Sequence, residues 1–135
     1  MRRISACAVA IAATIGAASC ADDAGSEPTR SYSLGLEADD SGERYRYVAT
    51  EAVDIRVGDE VTFVFDNTGA LPHDLQIVDP EGDTIATAPP VVPGGQLSVT
   101  ARFDDAGFYQ LNCLVDDHLT VHDMQTLVEV TESDG

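Results

Sequence analysis

One stretch, Gly107 to Met124 (GFYQLNCLVDDHLTVHDM), gathers side chains suited to a single kind of chemistry. Cys113 offers a thiolate, His118 an imidazole five residues later, and Met124 a thioether six residues beyond that. Soft donors of this kind select copper over hard cations. A second imidazole stands upstream at His73, at the end of the polar turn that Asn67 opens. Two histidines, a cysteine and a weakly bound methionine are the donor set of a copper ion that passes single electrons. Each residue also has a plainer reading. Cys113 alone is a small buried hydrophobe, His73 a loop histidine, and His118 and His122 part of a solvated turn with Asp116, Asp117 and Asp123. A nucleophilic Cys113–His pair for hydrolysis is the enzymatic alternative, but the sequence gives it no oxyanion motif and no orienting third group.

The elements that must position these residues read as short strands between turns. Alternating apolar positions occur at Ser31–Glu37, Glu43–Ala49, Val53–Val57, Val61–Phe65 and Gln96–Phe103. Leu75 and Ile77 continue the face that His73 begins. Gly107 opens the ligand strand, whose Tyr109, Leu111 and Cys113 share one face, and Thr126–Val130 closes the domain. Pro89-Pro90 and Pro93-Gly94-Gly95 read as irregular structure. Strands of five to eight residues with Gly, Pro and Asp turns predict an antiparallel sandwich, and 135 residues allow one domain and one core.

The N-terminus reads as an export signal. Residues 1–20 have a basic start, an apolar middle from Ile4 to Ala18 that is too short for the ~20 residues of a spanning helix, and small residues before Cys20. Ala17-Ala18-Ser19-Cys20 is similar to a lipobox, which would make Cys20 a lipid-bearing N-terminus; a plain signal peptide cut near Ala18 is the alternative. Residues 21–30 (ADDAGSEPTR) read as a polar tether reaching roughly 17 Å, residues 31–130 as the folded domain and 131–135 as a tail. With Cys7 removed and Cys20 lipidated, Cys113 has no partner for a disulfide, and an unpaired cysteine in an exported chain needs a role such as metal ligation. Losing Arg2 and Arg3 leaves five arginines, no lysine and 24 acids. That balance argues against nucleic acid or anionic lipid as the docking surface and favours basic partners, although adaptation to salt or genome composition explains it at least as well.

Across residues 31–130 the chain resembles the cupredoxins, the small blue copper proteins. The ligand strand matches their pattern as Gly107, Tyr109, Leu111 and Cys113, followed by Cys113-x4-His118. The first ligand loop matches as Val57-Gly58-Asp59-Glu60-Val61, then Asn67 and Pro72-His73, and Pro93-Gly94-Gly95 also recurs in the family. The resemblance implies an all-β, Greek-key β-sandwich holding one copper ion through His73, Cys113 and His118 in a plane, with Met124 as a long axial ligand. It implies a monomeric electron carrier rather than an enzyme. By the same resemblance His118 lies nearest the surface, amid Leu71, Pro72, Leu119 and Val121, where a basic redox partner such as a c-type cytochrome or an oxidase domain would dock. The implied location is the outer face of the cytoplasmic membrane, with a lipid on Cys20 as the only membrane contact.

Two departures from the pattern bear on the site. Five residues, not the commoner four, separate His118 from the methionine, and an ungapped alignment places Asp123 at the axial position. Strand parity favours Met124, because Val128 and Val130 then share its inward face, whereas counting from Asp123 would turn Gln125 and Glu129 inward. His122 is the rival ligand: three histidines and a cysteine would suit Zn²⁺ or a copper store or chaperone. The second departure is Asp74, where many similar proteins have asparagine. Its carboxylate can accept from a backbone N–H near Leu114 but cannot donate, and its charge favours Cu(II) and a lower potential.

Overall fold

The computed structural model describes residues 29–134. The expected signal segment 1–20, Cys20 and residues 21–28 of the tether lie outside the described residues. The described residues form nine strands: β1 (Ser31–Asp39), β2 (Arg46–Ala49), β3 (Ile55–Arg56), β4 (Glu60–Asp66), β5 (His73–Val78), β6 (Thr84–Val91), β7 (Gln96–Arg102), β8 (Gly107–Asn112) and β9 (Gln125–Thr131). They make two facing sheets, a four-stranded one in the order β2-β1-β4-β7 and a five-stranded one in the order β3-β9-β8-β5-β6.

The alternation read from the sequence becomes the core. Val61, Phe63 and Phe65 of β4 point inward with Leu34 and Leu36 of β1, and Leu75, Ile77, Tyr109, Leu111, Val128 and Val130 face them from the other sheet. Period-two burial on one side of each sheet is what a two-layer sandwich requires.

In two respects the strands differ from the sequence reading. The sheets are mixed: β1 pairs parallel with β4, from Ser31↔Glu60 to Glu37↔Asp66, and β3 pairs parallel with β9, while the remaining pairs are antiparallel. A parallel pair needs a crossover between its strands, which here runs through β2 and β3. The second difference is β6, which continues through Pro89 and Pro90. It is an edge strand, so a proline there leaves no ladder bond unmade on its open side. Ala88 pairs with Leu75 and Val91 with His73, so the two prolines lie opposite Asp74 alone, in a bulge.

Strand β8 begins with a backbone suited to glycine. Gly107 has φ +138°, and a Cβ there would come within 2.9 Å of Pro80. From that start the strand runs straight to Cys113, with β5 on one side and β9 on the other.

Candidate metal centre

The donors come from two loops at one end of the sandwich. His73 is the first residue of β5 and Cys113 follows the last residue of β8, while His118 and Met124 belong to the connection from β8 to β9. Cys113 Sγ lies 3.7 Å from His73 Nδ1 and 3.5 Å from His118 Nδ1. One donor atom from each of the three lies within 4.8 Å of the others, and all three side chains are buried. His73 is 0% exposed and His118 4%. Met124 is also fully buried, and its main chain joins the two downstream donors: its N–H donates to the His118 carbonyl at 2.9 Å and its carbonyl accepts from the Cys113 N–H at 3.1 Å.

The connection closes on itself. The His118 amide donates to the Val115 carbonyl at 3.0 Å and that of Val121 to the Asp117 carbonyl at 2.8 Å. Asp116 and Asp123 adopt positive φ, 47° and 52°, a conformation that aspartate tolerates better than most residues. At Asp123 this turns the carboxylate outward to an ion pair with Arg44, and Met124 then faces inward. The extra residue in the loop is thereby accommodated outside the cluster. His122 also lies outside it. Its ring stacks on Tyr45 at 4.1 Å between centroids, and its Nδ1 donates to the Glu43 carbonyl at 2.8 Å. Tyr45 meets the His118 ring edge-on at 5.1 Å, and the His122 ring lies 6.5 Å from that of His118, so His122 borders the donor cluster without joining it.

The loop that carries His73 is held by side chains. Buried Asn67 donates to the carbonyls of Leu71 and Val91, both at 2.9 Å, and accepts from the Gly69 amide at 3.1 Å. Asp74 Oδ1 accepts from the Leu114 N–H at 2.8 Å and so ties the two ligand loops together. Sequence reasoning missed three residues here. Tyr47 donates its hydroxyl to the Asp74 carbonyl and lies 3.3 Å from that of Asn112; burial pushes its pKa far up, so it remains a phenol. Tyr45 packs over the histidines. Asp40 sits 2.8 Å from His73 Nε2 and accepts from the Ala70 and Leu71 amides. Asp40 lies 33 residues from His73 and is one of 24 acids, so nothing local marks it.

Burial disfavours charge on two of the donors, His118 and Cys113. Burial lowers the His118 pKa, and the neighbouring His73 adds to the effect. Burial pushes the Cys113 thiol up, against hydrogen bonds that favour the thiolate, so a metal must displace its proton on binding. Burial also pushes Asp40 up, but the hydrogen bonds from His73, Ala70 and Leu71 outweigh it and hold the carboxyl below the ordinary range. A buried set of one thiolate and two imidazoles, with a thioether beside it, fits a single copper ion.

No family model matches the sequence, and neither does any curated protein sequence. Solved structures do. Dithionite-reduced auracyanin from the photosynthetic bacterium Roseiflexus castenholzii superposes with a TM-score of 0.55 at 19% identity, over 77% of this chain and 98% of that one. Auracyanin A, a "blue" copper protein from Chloroflexus aurantiacus, gives 0.54 at 22% identity, over 73% and 98%. The blue copper oxidase from Nitrosomonas europaea gives 0.51 at 22% identity, over 80% of this chain but only 40% of its own length. At such identities the likeness establishes architecture, and that architecture is the cupredoxin fold.

Proposed function

We propose that this protein is a one-electron carrier with a type 1 copper centre held by His73, Cys113 and His118 and completed by Met124. The observation that carries the reading is the convergence of three buried donor atoms within 4.8 Å, supplied by two loops that are tied to each other. Copper supplies the one-electron couple when bound. The chain does the rest: it presents two imidazole nitrogens, surrenders one thiol proton, and keeps the donors buried. Its strand ends and inter-loop bonds hold the donors in place as the charge at the site changes, and small rearrangement is what fast electron exchange requires. The engagement of His122 with the Glu43 carbonyl and the Tyr45 ring, outside the donor cluster, supports a redox site over a store or zinc site built from three histidines.

For the partner we infer a basic redox protein. Val121 and Leu114 are well exposed beside the donors, and Asp116 and Asp117 would orient a cationic surface. The carrier would act as an exported monomer anchored through Cys20.

A visible spectrum of the Cu(II)-loaded protein tests the reading. An intense thiolate–copper band that bleaches with ascorbate and returns on reoxidation is expected. A colourless protein that binds Zn²⁺ or Cu(I) tightly would move the function to storage.

A further inference from the structure

We propose that Asp40 is a positioning residue for the metal centre, a carboxylate that fixes the tautomer and orientation of His73 and biases the site toward the oxidised ion. The inference rests on the copper reading above for its second half, whereas its first half concerns the protein alone. Asp40 Oδ2 lies 2.8 Å from His73 Nε2, and the Asp40 side chain is only 5% exposed. The same carboxylate accepts from the Ala70 amide at 2.9 and 3.1 Å and from the Leu71 amide at 3.1 Å. An ionised carboxylate can only accept, so the proton between the pair belongs to Nε2. The Nδ1 lone pair is then bare, and Nδ1 is the atom 3.7 Å from Cys113 Sγ.

One side chain therefore does two things. It anchors the turn before His73 through two amides, and it grips the far side of the ligand ring. His118 has no such carboxylate among the described residues, so the two imidazoles are not equivalent. A hydrogen-bonded carboxylate behind a ligating histidine raises the ring's basicity and locks its tautomer. A buried negative charge so close to the ring also stabilises the more positive oxidation state of a metal on its other side. Asp40 reaches this place because β1 runs parallel to β4 and ends beside the Asn67 turn.

The test has two arms on the full chain. In the metal-free protein, long-range ¹H–¹⁵N NMR should show His73 as the Nε2–H tautomer, with a downfield Nε2 proton slow to exchange. Asp40→Asn keeps an oxygen for the amides but removes the charge, and should move that resonance upfield and speed its exchange. In the copper-loaded protein, Asp40→Asn should keep the thiolate band, bind Cu(II) about tenfold more weakly and change Cu(I) affinity little. A tenfold difference between the two states raises the potential by about 60 mV. An Nδ1–H tautomer in the wild type, or a His73 signal indifferent to Asp40→Asn, would overturn the proposal whether or not the wild type binds copper. A normal blue site whose potential and Cu(II) affinity ignore the substitution would overturn the bias toward the oxidised ion alone. A wild type without a copper band would defeat the functional reading, and the NMR arm would still decide the role of Asp40.

Discussion

The two ends of the sandwich both bury polar groups, and they treat them in opposite ways. At the end where β1 and β4 begin, Asp59 is buried and satisfied entirely by the protein. Arg30 Nε donates to it at 2.8 Å, the Tyr32 hydroxyl at 3.1 Å and the Arg56 amide at 2.9 Å. At the end where the same strands finish, buried Cys113, His73 and His118 bring three metal-donor atoms within 4.8 Å of one another. The first cluster is electrically closed and can contribute only stability. The second is braced on its outer side, where Asp40, Asn67 and Asp74 hold the loops, and presents a thiol and two imidazoles on its inner side. Soft donors converging inside a braced shell suit a metal ion, whereas Asp59 shows how the same fold satisfies a buried charge with protein groups alone.

If the ends divide in this way, damage to each should appear in a different measurement. The largest expected effect is that of Cys113→Ser. Losing the thiolate should abolish the visible copper band while the thermal melt of the metal-free protein changes little, serine being of similar size; a retained band would mean that Cys113 is not a ligand. Next is Asp59→Ala, which strips the Arg56 amide and the Arg30 guanidinium of their carboxylate acceptor and should cost about 2 kcal/mol in urea denaturation, with the copper spectrum intact. A changed spectrum would show that the ends are coupled.

The same aspartate gives a smaller, pH-dependent effect. The Arg30 hydrogen bond, with those of Arg56 and Tyr32, holds its carboxyl below the ordinary range despite burial. A lowered folded-state pKa contributes stability that is fully present above the ordinary aspartate value of about 4 and is lost as pH falls through the folded value. Wild-type stability should therefore fall more steeply below about pH 4 than that of the Asp59→Ala protein; parallel curves would remove Asp59 from the acid response. The smallest change expected in stability is for Met124→Leu, a volume-conserving swap that should cost less than about 1.5 kcal/mol. It should nevertheless raise the potential, because a donor to the oxidised ion is lost. An unchanged potential would take Met124 out of the site.

The same contrast explains what could be read from the sequence. Period-two alternation delivers each core face, so β4, β7, β8 and β9 were legible to within a residue or two, and so was the inward parity that Met124 shares with Val128 and Val130. The donor residue types are rare in this chain, which has three histidines, and their spacing makes them stand out. Strand pairing is different. Nothing in residues 31–37 says that they lie parallel to 60–66, and without that register neither Asp40 behind His73 nor Tyr47 under Asp74 can be placed. Strand β6 was hidden because Pro89 and Pro90 forbid an interior ladder, and only the sheet order shows that the strand lies at an edge. The positive φ at Asp123, which absorbs the additional loop residue, is a tertiary outcome: the residue type permits it and the Arg44 contact fixes where its side chain goes.

The clamp at Arg30 has a mechanical meaning. The described chain enters at Thr29 and is gripped at once through Asp59 and the Asp54 carbonyl, so whatever pulls on the N-terminus pulls on the pole away from the donors. Strand β1 is nine residues long, which at about 3.3 Å per residue sets the two poles roughly 25 Å apart. An attachment made through Thr29 would therefore leave the donor end facing away from it. A pull on Thr29 would be borne first by an arginine–aspartate clamp rather than by the loops that hold His73 and Cys113, and the donor geometry would be insulated from it.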